Sequence, residues 1–487
     1  MKLLELLLAA QPMQAAEIAF ISALLMILYM GLSNPVAKVP GPWYTAWTEA
    51  VFKYHAIKAQ GPAWVQSLHD RYGPIVRVAP DKVFVADPAG VRQIHRVKGE
   101  YLKSSWYTKA FPFAESVFST TSVAVHRRYR KLLSSPMSET SLKAMLPQID
   151  SKVRLAVQRI GGEMCTRGAG DVYKWWMFMA TDVIGELSFG ESFRMLEYGK
   201  YIRDLESSGR QTALSAVFPI LDVVAPFVPV PQIRNAFRAR RRVMTYAIQS
   251  VQRHKDLVEE ETAGAKPTLF SKLYKAGDDE SLTMDEIITN ARAYIIAGSD
   301  TTAATLTYLT WSVCRDPNIK RQLVDELKTL SDDFTDGDLK GLPYLNQVIE
   351  EALRLWPAAP SGLPRVVPEG GAMFGKHWLP SGAVVLTQAY SLHRNAHVFP
   401  QPETFDPSRW EKPTMAMKDC FMPFGGGSRV CLGLHLAYIE LRLATARFFR
   451  TFPNATVSSI DGSDEDMKPD LYFILSPRGH RCLIQAS

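Results

Sequence analysis

Cysteine is scarce: the sequence has five, Cys165, Cys314, Cys420, Cys431 and Cys482, scattered, odd in number and without a C-x-x-C pair. That pattern argues against a disulfide framework and against a zinc site. It fits reduced thiols in a cytosol-facing domain. Charge of one sign is weak as well. The net charge of +7 is spread along the chain, with no basic tract interleaved with aromatics, which makes no case for nucleic acid. An acidic protein partner or an anionic membrane surface suits this mild excess better. Beyond Trp43 there is no internal repeat and no long low-complexity linker. The glycine-rich loop has a cysteine where a phosphate site would want lysine, so no flavin or nicotinamide domain is visible. A chain of 487 residues suggests two or three domains by length alone, although a large ligand-enclosing fold can run this long as one unit.

Charge is absent altogether between Glu17 and Lys38. About 20 apolar residues of this kind span a bilayer as a helix, and residues 18–37 are assigned to such a span. Tyr29 stands near one end, where an amphipathic ring suits the interface. A cleaved signal peptide would want a basic start and a shorter run, whereas this start carries Lys2, Glu5 and Glu17. Lys38, Lys53 and Lys58 follow the span. The positive-inside rule then leaves residues 1–17 luminal and the globule, residues 44–487, cytosolic. Between them, residues 38–43 contain Pro40-Gly41-Pro42 and read as a stiff hinge.

The globule reads as mostly α with small β-sheets. Short β-like runs fall near residues 75–78, 83–86 and 383–388, and helix candidates cover residues 150–160 and 232–257. Residues 218–231, apolar and proline-rich, read as a folded-in core loop or a second membrane contact. One helix stands out. Thr283 and Glu286 make a capping box, and the pattern then runs without proline to Arg315, where Pro317 stops it. Such a helix is about 48 Å long at 1.5 Å per residue and must cross the globule. Near its middle lies Ala297-Gly298-Ser299-Asp300-Thr301-Thr302. The bland reading is a bend with back-bonded hydroxyls. The functional one is a distorted turn that opens space beside a cofactor.

The strongest signal is Phe424-x-x-Gly427-x-Arg429-x-Cys431-x-Gly433, followed by a helical run from Leu434. Glycines let backbone approach a flat ligand. A helix amino terminus stabilises a thiolate, and Arg429 can pair with a nearby carboxylate.

This frame resembles the haem-binding loop of the cytochrome P-450 superfamily, and the resemblance extends over nearly the whole chain. It implies the fold of that family, one large haem domain behind a transmembrane helix, with Cys431 as axial ligand to the iron of haem b. Phe424, Arg429 and Gly433 then contact the cofactor. Arg130, in His126-x-x-x-Arg130, and Arg365, in Leu363-Pro364-Arg365, match propionate contacts, with His126 beside them. Glu351 and Arg354 match the Glu-x-x-Arg helix motif, and Arg409, in Phe405-Asp406-Pro407-Ser408-Arg409-Trp410, joins them in a buried structural triad. Two positions depart from the family: His126 stands where many members have tryptophan, and Ser408 where glutamate is common.

The resemblance implies a monooxygenase of a lipophilic small molecule. Asp300 and Thr301 guide protons, and Ala293, Ala297, Ala358, Ser361 and the region 104–120 face the substrate. Electrons come from a separate NADPH-dependent cytochrome P-450 reductase, with cytochrome b5 as an optional second donor. The local wording resembles filamentous-fungal members that tailor polyketides, terpenoids or alkaloids. Microsomal members share the anchor and the Pro-Gly-Pro segment, which implies a single-pass protein of the endoplasmic reticulum membrane. Two other readings compete: a haem-thiolate isomerase or dehydratase, relatives that often lose the acid–alcohol pair kept here, and a non-enzymatic haem-binding membrane protein.

Overall fold

The computed structural model describes residues 2–111, 115–199, 231–259, 268–271, 282–459 and 464–486. Residues 218–230 of the proline-rich segment lie outside them. Helix α1 (Lys2–Ser33) precedes a globule whose site is framed by α2 (Val123–Ser134), α3 (Leu146–Arg167), α4 (Val172–Phe189), α5 (Pro231–Glu259), α6 (Met284–Arg315), α7 (Pro343–Leu355) and α8 (Leu434–Thr451). A four-stranded sheet joins β1 (Ile75–Ala79), β2 (Lys82–Val85), β3 (Gly362–Val366) and β4 (Val384–Gln388) in the order β1-β2-β4-β3. The β2–β4 pair is parallel and the other two are antiparallel.

Helix α6 starts and stops where local chemistry dictates. Thr283 Oγ1 accepts from the Glu286 N–H at 3.2 Å, and Glu286 Oε2 accepts from the Thr283 N–H at 2.9 Å, which satisfies two amides that a helix start leaves unpaired. The helix runs unbroken as α through Gly298. It packs along α4, which is buried on nearly every side and therefore forms the centre of the core. At that crossing a Cβ on Gly298 would fall 2.8 Å from Ile184 Cγ1. Close packing of two helices, rather than a distorted turn, accounts for this glycine.

Helix α1 contains an apolar stretch, Ala16–Ser33, of mean hydropathy 1.9 that is long enough to cross a membrane. The helix ends four residues before the end expected for the span. Asn34 takes the Val36 N–H on its side chain and donates to the Pro80 carbonyl at 2.6 Å. The chain then turns into a short 3-10 helix, Pro35–Lys38, and Val36 and Val39 pack with Phe374 and Leu379. The expected hinge is fixed too. Buried Arg77 donates to the carbonyls of Ala37, Val39 and Pro42 and to Thr45 Oγ1. A Cβ on Gly41 would lie 2.5 Å from the Arg77 carbonyl oxygen, so Gly41 lets the two backbones touch. With the globule's edge held by Arg77, a chain beginning at Asn34 is expected to keep the thermal midpoint of the full protein. A drop of several degrees would show that α1 belongs to the fold.

Candidate active site

The loop before α8 folds back on itself. The Cys431 N–H donates to the Phe424 carbonyl at 2.9 Å. Gly425 and Gly427 have φ of +70° and +63°, the left-handed region where a side chain is strained. A Cβ on Gly427 would lie 2.2 Å from the His95 carbonyl oxygen. This glycine is therefore needed by the protein's own backbone, not by a flat ligand. His95 is held by a 2.7 Å bond between its Nε2 and Thr387 Oγ1 on β4, and Arg130 of α2 reaches the Val430 carbonyl at 2.5 Å.

The Cys431 side chain has open surface, but that surface faces an internal cavity of about 380 Å³. Surrounding protein still excludes most water, so burial is the larger effect and pushes the thiol up, against the Gly433 N–H and the Arg130 charge, which pull it down. The expected thiolate stabilisation by the helix start is present and is outweighed.

Facing the same cavity is a group of cations. Arg130, Arg365 and Arg429 line it, with Lys103 and the neutral imidazole of His126 beside them. Lys103 sits there because residues 102–104 pair with the free edge of β3: the Val366 N–H donates to the Leu102 carbonyl at 2.8 Å, and Lys103 bridges to Arg365. Like charges side by side on paired strands repel. Burial, then Arg365 and Arg429, drives the Lys103 amine well down. Burial and the neighbouring cations hold His126 neutral, down to about 3. Arg429 donates to the Thr120 carbonyl at 3.2 Å. Arg365 Nη1 is buried without a hydrogen-bond partner among the described residues. A cavity with a thiol on one wall, an orphaned guanidinium N–H and several cations unneutralised among the described residues fits haem, whose iron would take the sulfur and whose two propionates would meet the cations.

The opposite wall is α6. Ala293, Ala297 and Thr301 line the cavity, as do Ala358 and Ser361, Phe424 and Gly433. Thr301 Oγ1 donates to the Ala297 carbonyl at 2.6 Å, and Ser299 Oγ to that of Ile295 at 2.7 Å. Asp300 is buried and, unlike Thr301, does not line the cavity. Thr302 instead reaches Glu440 of α8 at 3.1 Å, a cavity residue raised by burial to about 8. Tyr107 and Phe118 line the cavity within the region 104–120 expected to face the substrate, whereas Glu440, Lys103 and Phe473 are cavity residues that the sequence reading missed. A glutamate inside the apolar run of α8 was the available signal for the first; the others become neighbours only on folding.

Glu351, Arg354 and Arg409 lie together outside the cavity. Glu351 accepts from Arg354 Nε and Nη2, both at 2.8 Å, and from Arg409 Nε at 2.9 Å.

A helical globule with a cysteine loop and a cation group on one buried cavity has the architecture of a haem-thiolate protein. The family model for cytochrome P-450 matches residues 40–483. The cytochrome P-450 monooxygenase tazI of Aspergillus terreus is 46% identical over 98% of this chain and 99% of its own length. The cytochrome P-450 monooxygenases orf2 of Aspergillus niger and aflV of Aspergillus parasiticus are 43% and 34% identical, over 94% and 96% of this chain and 95% and 94% of their own. The chain belongs to the cytochrome P-450 family and is a monooxygenase, which sets aside the isomerase, dehydratase and non-enzymatic readings.

Proposed function

We propose that this monooxygenase inserts one atom of dioxygen into a lipophilic secondary metabolite of the polyketide, terpenoid or alkaloid kind. Cytochrome P-450 reductase supplies electrons from NADPH. Helix α1 anchors the protein in the endoplasmic reticulum membrane with the globule in the cytosol. The observation that carries the reading is one cavity holding the Cys431 thiol, the cations and the Thr301 wall. Haem b bound there through Cys431 would supply the dioxygen chemistry. Arg130, Arg365, Arg429 and Lys103 would hold its carboxylates, and His126 stands among them as a neutral neighbour. The alanines of α6 and Ala358 keep the substrate side apolar, which excludes water. Thr301 holds a proton at the cavity wall, since its hydroxyl can leave the Ala297 carbonyl for a water. Asp300 has no surface on the cavity, so its share of proton delivery passes through Thr301 or water. Oxygen uptake that depends on the reductase, with one labelled atom from dioxygen in the product, tests the reading. Uptake independent of the reductase would end it.

Thr301→Ala is expected to uncouple the enzyme rather than unfold it. Peroxide rises, and product per NADPH falls on the order of tenfold, while the thermal midpoint stays put. Unchanged product per reducing equivalent would reduce Thr301 to a helix residue.

A further inference from the structure

The cavity contains a corner of aromatic rings with surface to spare. Phe111 and Phe118 come from the segment before α2, and Phe473 from near the carboxyl end; all three line the cavity. Their centroids lie 5.6 Å apart for Phe111–Phe118, 6.1 Å for Phe111–Phe473 and 5.7 Å for Phe118–Phe473, with planes at 87°, 74° and 63°. Trp106 braces Phe111 and Phe473 from 6.3 Å and 6.1 Å, and Lys103 Nζ lies 4.3 Å from the centroid of the Phe118 ring. The Val117 N–H is pinned to Asn290 Oδ1 of α6 at 2.9 Å. The rings are thus held in place, yet each is only half-buried, unlike core rings such as Phe178 and Phe448. Their uncovered area faces the cavity.

Three rings in steeply inclined planes that meet at one corner favour a particular partner. A flat fused-ring system stacked on one of them turns its edges toward the faces of the other two. Both arrangements are favoured by the ring quadrupoles, beyond the area buried. A saturated polycycle of the same outline gains the area and not the quadrupole interaction. We propose that Phe111, Phe118 and Phe473 select a planar, fused-ring aromatic substrate for this enzyme. The inference deepens the monooxygenase reading by narrowing its substrate class, from three kinds of metabolite to those with an aromatic ring system.

Spectral titration of the full-length, haem-loaded protein tests this, with 2-naphthol and its saturated counterpart 2-decalol as probes. The wild type is expected to bind 2-naphthol more tightly. Phe473→Leu and Phe118→Leu keep an apolar side chain and remove the ring. Each is expected to weaken 2-naphthol by about 2- to 13-fold, the range of one aromatic pair, and to leave 2-decalol within about twofold. If one variant fails to fold, the other carries the test. Equal binding of the two probes by the wild type, equal losses for both in the variants, or no binding by a protein with a normal carbon-monoxide spectrum would each overturn the proposal. Failure of the wild type to give a thiolate-type carbon-monoxide spectrum would instead strike the haem-thiolate reading itself.

Discussion

Cys431→Ala is expected to abolish the thiolate-type band in the carbon-monoxide difference spectrum of the reduced protein, and with it all turnover. No other cysteine can take its place. Cys314, Cys420 and Cys482 are buried elsewhere, and burial pushes the first two thiols up to about 12. Cys165 is exposed on α3. None of the four lines the cavity. The loop itself should survive, because its shape rests on the Cys431 N–H, the left-handed glycines and Arg130, none of which needs the sulfur. The cations also remain, so residual haem is expected to bind weakly and without thiolate character. A thiolate-type band of wild-type height in the variant would remove Cys431 from the iron.

Glu351→Ala is expected to destabilise the whole protein, by about 3–5 kcal/mol, because it strands buried charge. That is a large share of the 5–15 kcal/mol that holds a typical domain together. Glu351 and Arg354 have no exposed side-chain surface, and Arg409 has 8%. The carboxylate takes two bonds from Arg354 and one each from Arg409, Trp410 Nε1 at 3.0 Å and the Asp406 N–H at 2.9 Å. Its removal leaves two guanidinium groups without their counter-charge. The damage should reach the cysteine loop along a bonded path. Arg354 donates to the His393 carbonyl at 2.8 Å, and His393 Nε2 accepts the Met422 N–H at 2.8 Å, two residues before Phe424. Burial keeps that imidazole neutral, down to about 3, so one ring nitrogen is free to accept. Urea denaturation and the haem content of purified protein measure both effects. Glu351→Gln, which keeps an acceptor oxygen, should fall between. A midpoint and haem content equal to wild type in Glu351→Ala would show that the triad is not structural.

Some of this was legible in the sequence because it is local. The capping box of α6 lies within four residues, and the structure starts the helix there and ends it at Arg315, as read. The frame around Cys431 is equally compact. The Glu-x-x-Arg pair shares one helix face, and its partner Arg409 was found only through resemblance to the family.

What the sequence could not assign was the reason for each residue. Gly427 looks like a ligand-facing glycine until the His95 carbonyl is seen against it, and Gly298, which does line the cavity, also has Ile184 packed against it. Asp300 stands next to Thr301 in the chain, yet Thr301 lines the cavity and Asp300 does not. The Pro-Gly-Pro segment has the composition of a hinge, and Arg77 from a distant strand makes it part of the globule.

The sequence by itself determined the fold class, the long central helix and the cysteine loop, because capping, periodicity and fixed spacing act within a dozen residues. Only the tertiary structure decided which groups share the cavity. Lys103 meets Arg365 through pairing at a strand edge. Phe118 meets Phe473, and Thr302 meets Glu440, only after the chain has closed on itself. Contacts between residues so far apart have no local signature, because the folded core, and not the neighbouring sequence, sets their distance and their surroundings.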